Sequence, residues 1–253
     1  MAHWYSKEGE TAYEVMGTNG KMRDTTLRDA KKYGYSPSVT TILGIVNKEA
    51  LNIWKMNQLF DAMVASPPKK FKDDGAKASY KRMVMAESAR KGREAADRGT
   101  EIHDALDKYI KDGVIVEGMD QFVSPVIQLL LSRFGNVEWI PEMSFTHPDR
   151  FGGKCDLHAK PCEAFPNGVI LDFKTKATEN FKGVKAYQEN CLQLVAYRLG
   201  FNLPKAECFN LFISTHTTGD MMLHMWKEED CKKSEVMFYH LLRYWQLNNN
   251  LVA

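Results

Sequence analysis

Two hydrophobic spacings divide this chain. Between 120 and 134, Phe122, Val126, Leu129, Leu130 and Phe134 recur at steps of three and four, the repeat of one helical face. Ile102, Leu106 and Tyr109 repeat the same way inside a stretch predicted to be helical over 79–111. Gly92 and Gly99 argue against an unbroken helix there. A further helix is predicted over 48–65. Another starts near Pro37-Ser38-Val39-Thr40-Thr41, with Ser36 or Ser38 as its cap. Before these, residues 13–16 and 21–23 flank a Gly-Thr-Asn-Gly turn and predict a short hairpin.

Beyond 136 the period shortens. Strands are predicted over 137–146, 154–160 and 168–174, a helix over 184–200, and strands over 206–214 and 221–226 around a Thr-Thr-Gly-Asp turn. The run Val169-Ile170-Leu171 has no polar alternation, as expected of a strand buried on both faces. An amphipathic helix over 229–247 closes the chain. This order predicts an α/β fold in which helices flank a central mixed β-sheet, with a helical elaboration on the N-terminal side. One domain is expected over 1–253. Its mainly helical part covers 35–135, its sheet core 136–226, and its C-terminal helix 227–253.

Composition adds limits. With 253 residues, 44% hydrophobic and 26% charged, the chain can bury a full core. No apolar run is long enough for a membrane span, and Met1-Ala2-His3-Trp4-Tyr5-Ser6-Lys7-Glu8 lacks the apolar centre of a secretion signal. A cytoplasmic protein of a bacterium or phage-infected cell is expected. The net charge of +2 gives no global sign of a nucleic-acid partner. Locally, however, residues 66–93 hold nine Lys and Arg against three acids. That stretch is either a solvated linker and helix face or a basic arch. The five cysteines form no C-x-x-C pair, so they are read as buried or incidental thiols.

Candidate chemistry lies at one strand end. Asp172 and Lys174 are two apart on a strand and therefore project from one face. Asp156 lies on the preceding strand, and a hairpin of this length brings it beside Asp172. Two carboxylates and an ammonium suit phosphate hydrolysis. Hard oxygen ligands take Mg²⁺ or Mn²⁺, and the cation relieves the repulsion between the acids. Alone, an Asp-x-Lys triplet is equally well a surface ion pair.

Its company extends the picture. Gly152-Gly153-Lys154-Cys155-Asp156 and Leu171-Asp172-Phe173-Lys174-Thr175 are accompanied by Gln193-Leu194-Val195-Ala196-Tyr197, by Arg98-Gly99-Thr100-Glu101-Ile102-His103, and by Glu142 after Pro141. In this order, over about 35–226, they resemble the RecB-like exonuclease branch of the PD-(D/E)xK nuclease superfamily. Pro37-Ser38-Val39-Thr40-Thr41-Ile42-Leu43 with Trp54 is similar to the entry segment of phage-type and mitochondrial genome-maintenance exonucleases. The proline of the superfamily's name is missing, since Cys155 precedes Asp156.

The resemblance implies a restriction-endonuclease-like core and a deoxyribonuclease acting on single- or double-stranded DNA ends, in recombination, repair or replication. Catalytic residues would be Asp156, Asp172, Lys174, Gln193 and Tyr197. Metal ligands would be His103, Asp156, Asp172, the Phe173 backbone carbonyl and Glu142. DNA contacts would come from Lys69, Lys70, Lys72, Lys81, Arg82, Arg98, Lys176 and Tyr187. Lys176 is read alternatively as solvated, and Gln188 as a second helix residue able to join this surface. Mg²⁺ or Mn²⁺ is the expected cofactor. The cysteine trio of iron–sulfur relatives is missing, so no cluster is expected. Partners would be DNA and a recombinase or single-strand-binding protein. A structure-specific or nicking endonuclease, a non-catalytic DNA-end-binding partner, and an α/β interaction protein stand as alternatives.

Overall fold

A computed structural model of the chain describes residues 2–68 and 70–251. Its elements are β1 (Trp4–Tyr5), β2 (Glu14–Met16), β3 (Met22–Asp24), α1 (Leu27–Tyr33), β4 (Ser36–Pro37), α2 (Val39–Leu43), α3 (Glu49–Ala65), α4 (Asp74–Asp112), α5 (Asp120–Phe134), β5 (Ile140–His147), β6 (Phe151–Ala159), β7 (Val169–Lys176), α6 (Gln188–Gly200), β8 (Glu207–Ser214), β9 (Met221–Trp226) and α7 (Glu228–Asn248). They divide between two compact units, Met1–Val46 with Ile102–Ala253 and Asn47–Glu101.

The first unit is built on a five-stranded mixed sheet in the order β5-β6-β7-β8-β9. Only β7 and β8 run parallel, with Asp172 opposite Asn210 in the register. Parallel neighbours require a long crossover, and α6 supplies it. Alternation along β7 separates two cores. Ile170 packs with Phe151, Cys155, Leu194 and Phe238, drawing on α2, α6 and α7. Val169, Leu171 and Phe173 pack with Leu106, Val126, Phe209 and Leu211, drawing on α5 and the last turns of α4. This is why 169–173 is buried throughout and 169–171 carries no polar residue. The α/β architecture with helices on a mixed sheet is therefore as predicted.

Several element boundaries differ from those predicted. Helix α4 starts at Asp74 and passes unbroken through Gly92 and Gly99. Each glycine costs about 1 kcal/mol relative to alanine, too little to break a helix otherwise rich in Ala, Lys, Arg, Glu and Met. Strand β6 starts at Phe151, before the glycine pair. The glycines stay extended because aromatic rings lie against them. A Cβ on Gly152 would meet Tyr5 at 2.8 Å, and one on Gly153 would meet Tyr197 at 2.8 Å. Helix α1 was not predicted. Thr26 and Asp29 close a reciprocal capping box, and Gly34 ends the helix at φ 74°. Ser38 caps α2 by accepting from Thr41 N–H at 2.9 Å, while Ser36 pairs as strand instead.

In the second unit, α3 precedes the first turns of α4. Tyr80 Oη donates to the Ser66 carbonyl at 2.8 Å, and the Tyr80 and Phe71 rings lie 5.4 Å apart.

The end of α6 gives a sign test for packing. Helical Gly→Ala ordinarily stabilises, by up to about 1 kcal/mol. At Gly200 a methyl would overlap the Phe145 ring, which is held by Phe151, Tyr197 and Phe201 at 6.1, 6.0 and 5.0 Å. Gly200→Ala is therefore expected to destabilise, by roughly 1–3 kcal/mol of overpacking. Urea denaturation measures this; a raised midpoint would show that the ring has room to move.

Candidate active site

The site forms where β6 and β7 part. Their pairing runs through Ala159↔Val169, His158↔Ile170 and Leu157↔Leu171. Beyond it, the Asp156 carboxylate fills the gap, its Oδ2 accepting from Phe173 N–H at 2.6 Å. Residues two apart on a strand ordinarily share a face. Yet Cys155 belongs to the α6 core and Leu157 to the α5 core. Strand β6 therefore turns over at Asp156, aiming its side chain into the fork. His103, on α4, approaches from the α5 side. Its Nδ1 lies 3.5 Å from Asp156 Oδ1, and its ring stands edge-on to Phe173 at 5.8 Å.

Asp172 points to the other face of β7 and is almost wholly buried. Its Oδ2 receives Lys174 Nζ at 2.5 Å and Asn210 Nδ2 at 2.9 Å, and its Oδ1 receives Gln193 Nε2 at 3.0 Å. Asn210 is itself oriented, because Trp226 Nε1 donates to its Oδ1 at 2.8 Å and leaves the amide nitrogen facing Asp172. Gln193 acts as a bridge: its Oε1 accepts from Lys174 at 3.1 Å while its Nε2 also donates to Tyr197 Oη at 2.7 Å. Gln193 and Tyr197 share a face of α6 because they are four apart.

Electrostatics follow from burial. Loss of water, together with the charge of Asp156, raises the Asp172 carboxyl despite the opposing Lys174 ammonium. Burial also acts to raise Asp156, but His103, Lys174 and the Phe173 N–H outweigh it and hold that carboxyl low. Burial pulls Lys174 and His103 down, and the two acids carry both above their ordinary values. The Tyr197 phenol is pushed far up by burial and by Asp172. The cluster thus contains two close, desolvated carboxylates and cationic partners.

A divalent cation fits the donor chemistry. One imidazole nitrogen with carboxylate and carbonyl oxygens suits Mg²⁺ or Mn²⁺, and a cation would offset the burial and the Asp156 charge that together raise Asp172. The Phe173 peptide already turns its N–H to Asp156, and a strand residue points its carbonyl to the same side as its N–H. Among the described residues, no three His, Cys, Asp or Glu side chains are gathered as a ready-made cage.

The other predicted site residues are more scattered. Glu142, at φ 51°, falls unpaired between the Pro141↔Leu157 and Met143↔Cys155 pairs of β5 and β6, and its carboxylate ion-pairs with Lys154. Lys176 Nζ lies over the Tyr187 ring at 4.8 Å, so these two are brought together. Gln188 donates to Ser234 Oγ at 2.7 Å and ties α6 to α7 rather than facing the cleft. In the second unit, Lys70 and Lys72 are exposed, Arg82 donates to Ser79 Oγ at 3.1 Å, and Arg98 pairs with Glu101 at 2.8 Å. Lys81 lines a cavity of about 620 Å³ with Lys55, Lys77, Phe71 and Tyr80. Lys69 lies outside the described residues.

Two features escaped the sequence reading. Asn210 and Trp226 hold Asp172, yet only the β7–β8 register reveals it. A cavity of about 550 Å³ in the first unit is lined by Lys7, Lys31, His147 and Arg150. Its cations, Lys7, Lys31 and Arg150, are too far apart in sequence to form a recognisable cluster.

No protein-family model matches the chain. Nor does any curated protein. Among solved structures, one described as "Crystal structure of SSO0001" superposes with a TM-score of 0.32 at 11% identity, covering 76% of this chain and 86% of that one. A likeness of that size bears on neither fold nor function.

Asn210→Leu keeps the branched side-chain skeleton but leaves the Trp226 indole without its acceptor and removes one donor from Asp172. Unfolding free energy is expected to fall by roughly 1–3 kcal/mol, the cost of orphaned buried polar groups. Denaturant titration reads this directly, and an unchanged midpoint would mean that the Asn210 bridge contributes nothing.

Proposed function

We propose that this protein is a metal-dependent deoxyribonuclease with a restriction-endonuclease-like core, hydrolysing phosphodiester bonds from DNA ends. The observation that carries the reading is the meeting of Asp156, Asp172 and Lys174 at the fork of β6 and β7, with His103 on one side and Gln193 on the other. Surface charge supports a polyanionic substrate. The cavity bearing Lys7, Lys31 and Arg150 and the lysines of the second unit offer salt-sensitive contacts to phosphate. No helix among the described residues is long and apolar enough to cross a membrane.

Asp156, Asp172, His103 and the Phe173 carbonyl would hold Mg²⁺ or Mn²⁺. Such an ion, when bound, lowers the pKa of water and neutralises charge on the phosphate. Lys174 is kept ammonium by Asp172 and Asp156. It therefore acts as a fixed positive charge toward the oxygen on which charge develops, or orients the attacking water. Gln193 fixes that ammonium by accepting from it at 3.1 Å. Tyr197 keeps its phenolic proton and locks the Gln193 amide from below. Lys176 and Tyr187, stacked together, offer a cation and an aromatic face to the strand leaving the site. With no base-reading module, cleavage would be independent of sequence.

The test is digestion of end-labelled linear single- and double-stranded DNA, beside a closed circle, with Mn²⁺. The protein is expected to shorten the linear substrates and spare the circle. Lys174→Ala should lower the rate by about 10²–10³-fold, the effect of removing one preorganised charge-stabilising donor. Cutting of the circle would make it an endonuclease with the same chemistry. Asp172→Asn turning over like the wild type would show that hydrolysis does not use this site.

A further inference from the structure

Helices α3 and α4 pair antiparallel in the second unit. At one end Tyr80 is tied to the Ser66 carbonyl, and at the other the Trp54 ring lies 3.5 Å from where a Cβ on Gly92 would stand. The cavity of about 620 Å³ in this unit is a groove with one wall from each helix. Its α4 wall repeats at helical steps through Lys77, Tyr80, Lys81, Val84, Met85 and Ser88, and its α3 wall through Lys55, Leu59 and Met63. The α4 wall is about 16 Å long, three turns of a helix.

Two properties of the groove bear on what it holds. Its floor is apolar, yet Leu59, Met63, Phe71 and Met85 are each more than a third exposed, and Ala62 is the only buried residue of α3. Contiguous apolar surface of this kind marks a place where another molecule binds. The second property is charge of a single sign. Lys55 stands on one wall and Lys77 and Lys81 on the other, and no Asp or Glu lines the groove. Among the described residues, none of these three ammoniums has a carboxylate within ion-pair distance.

We propose that this groove docks an acidic amphipathic helix of a partner protein. Apolar side chains on one face of that helix enter between α3 and α4, and the unbranched Met63 and Met85 adapt to their shape. Glu and Asp on its flanks meet the lysines of both walls. A nucleic-acid strand suits the lysines but not the floor, since bases stack on open ring faces. The two rings here, Phe71 and Tyr80, lie against each other at 5.4 Å and 49°, and the Tyr80 hydroxyl is spent on Ser66. A second copy of the chain would set one stretch of nine Lys and Arg against three acids, residues 66–93, upon another. Lys70 and Lys72 are exposed outside the groove and remain available to DNA. The docking does not depend on the nuclease reading.

The test uses the full chain and a fluorescein-labelled helical peptide with Leu along one face and Glu at the other positions, followed by fluorescence anisotropy. Saturable binding that weakens as salt rises is expected. Met85→Asp, which puts a charge on the floor, and the pair Lys55→Glu with Lys77→Glu, one change on each wall, should each weaken it by at least about tenfold. All three residues are exposed, so the variants should keep the circular dichroism of the wild type. A peptide of the same composition, scrambled so that its Leu residues share no face, should bind at least about tenfold more weakly. No saturable binding, equal binding of the scrambled peptide, or unchanged affinity in either variant would overturn the proposal. So would displacement of the probe by oligothymidylate at lower concentration than by unlabelled peptide, which would give the groove to nucleic acid. Capture of the wild type but not of Met85→Asp by phosphatidylglycerol vesicles would overturn it too, giving the groove to a membrane.

Discussion

Asp172 is a carboxylate almost wholly withdrawn from water, and the geometry around it follows from how its charge is answered. An ammonium and two amide donors converge on its two oxygens. They come from β7 itself, from the crossover helix α6 and from the neighbouring strand β8. Burying such a charge without partners would cost several kcal/mol, so the three elements are held in register by the need to satisfy it. The parallel pairing of β7 and β8 matters here. It sets Asn210 beside Asp172, and the helix demanded by that crossover delivers Gln193 from above the same face.

The second acid is positioned by a different device. Asp156 reaches the fork because β6 turns over between Cys155 and Leu157, and the Phe173 N–H receives its carboxylate where the strands no longer pair. Gly152 and Gly153 serve this indirectly. Lacking side chains, they let Tyr5 and Tyr197 lie on the strand, and Tyr197 is the residue that steadies Gln193. Backbone economy at two glycines and polar order at the carboxylates are thus parts of one arrangement.

Much of this was legible from residue spacing, and the reasons differ by element. The buried run of β7 and the amphipathic face of α5 are strong periodic signals, and their bounds fall close to those expected. Asp172, Lys174, Gln193 and Tyr197 could be grouped because two-residue and four-residue spacings translate directly into shared faces. Asn210 and Trp226 could not, since nothing local distinguishes an asparagine that reaches across a strand pair. Likewise, α1 escaped because its cap, Thr26 with Asp29, differs from the usual Glu or Gln partner. The site assigned to Glu142 rested on resemblance, and its carboxylate instead meets Lys154. The basic stretch 66–93 lies inside the second unit, but the unit's end near Glu101 left no mark, because α4 runs through it without a break in helical sequence.

The proposed function requires that Asp156 and Asp172, two desolvated acids at the fork of β6 and β7, seat a hard divalent ion. Electron paramagnetic resonance of Mn²⁺ titrated into the wild-type protein and into Asp156→Asn measures this without reference to any substrate. Saturable binding by the wild type, greatly weakened in the variant, is the predicted result. Equal binding by both proteins, or none by either, would contradict it.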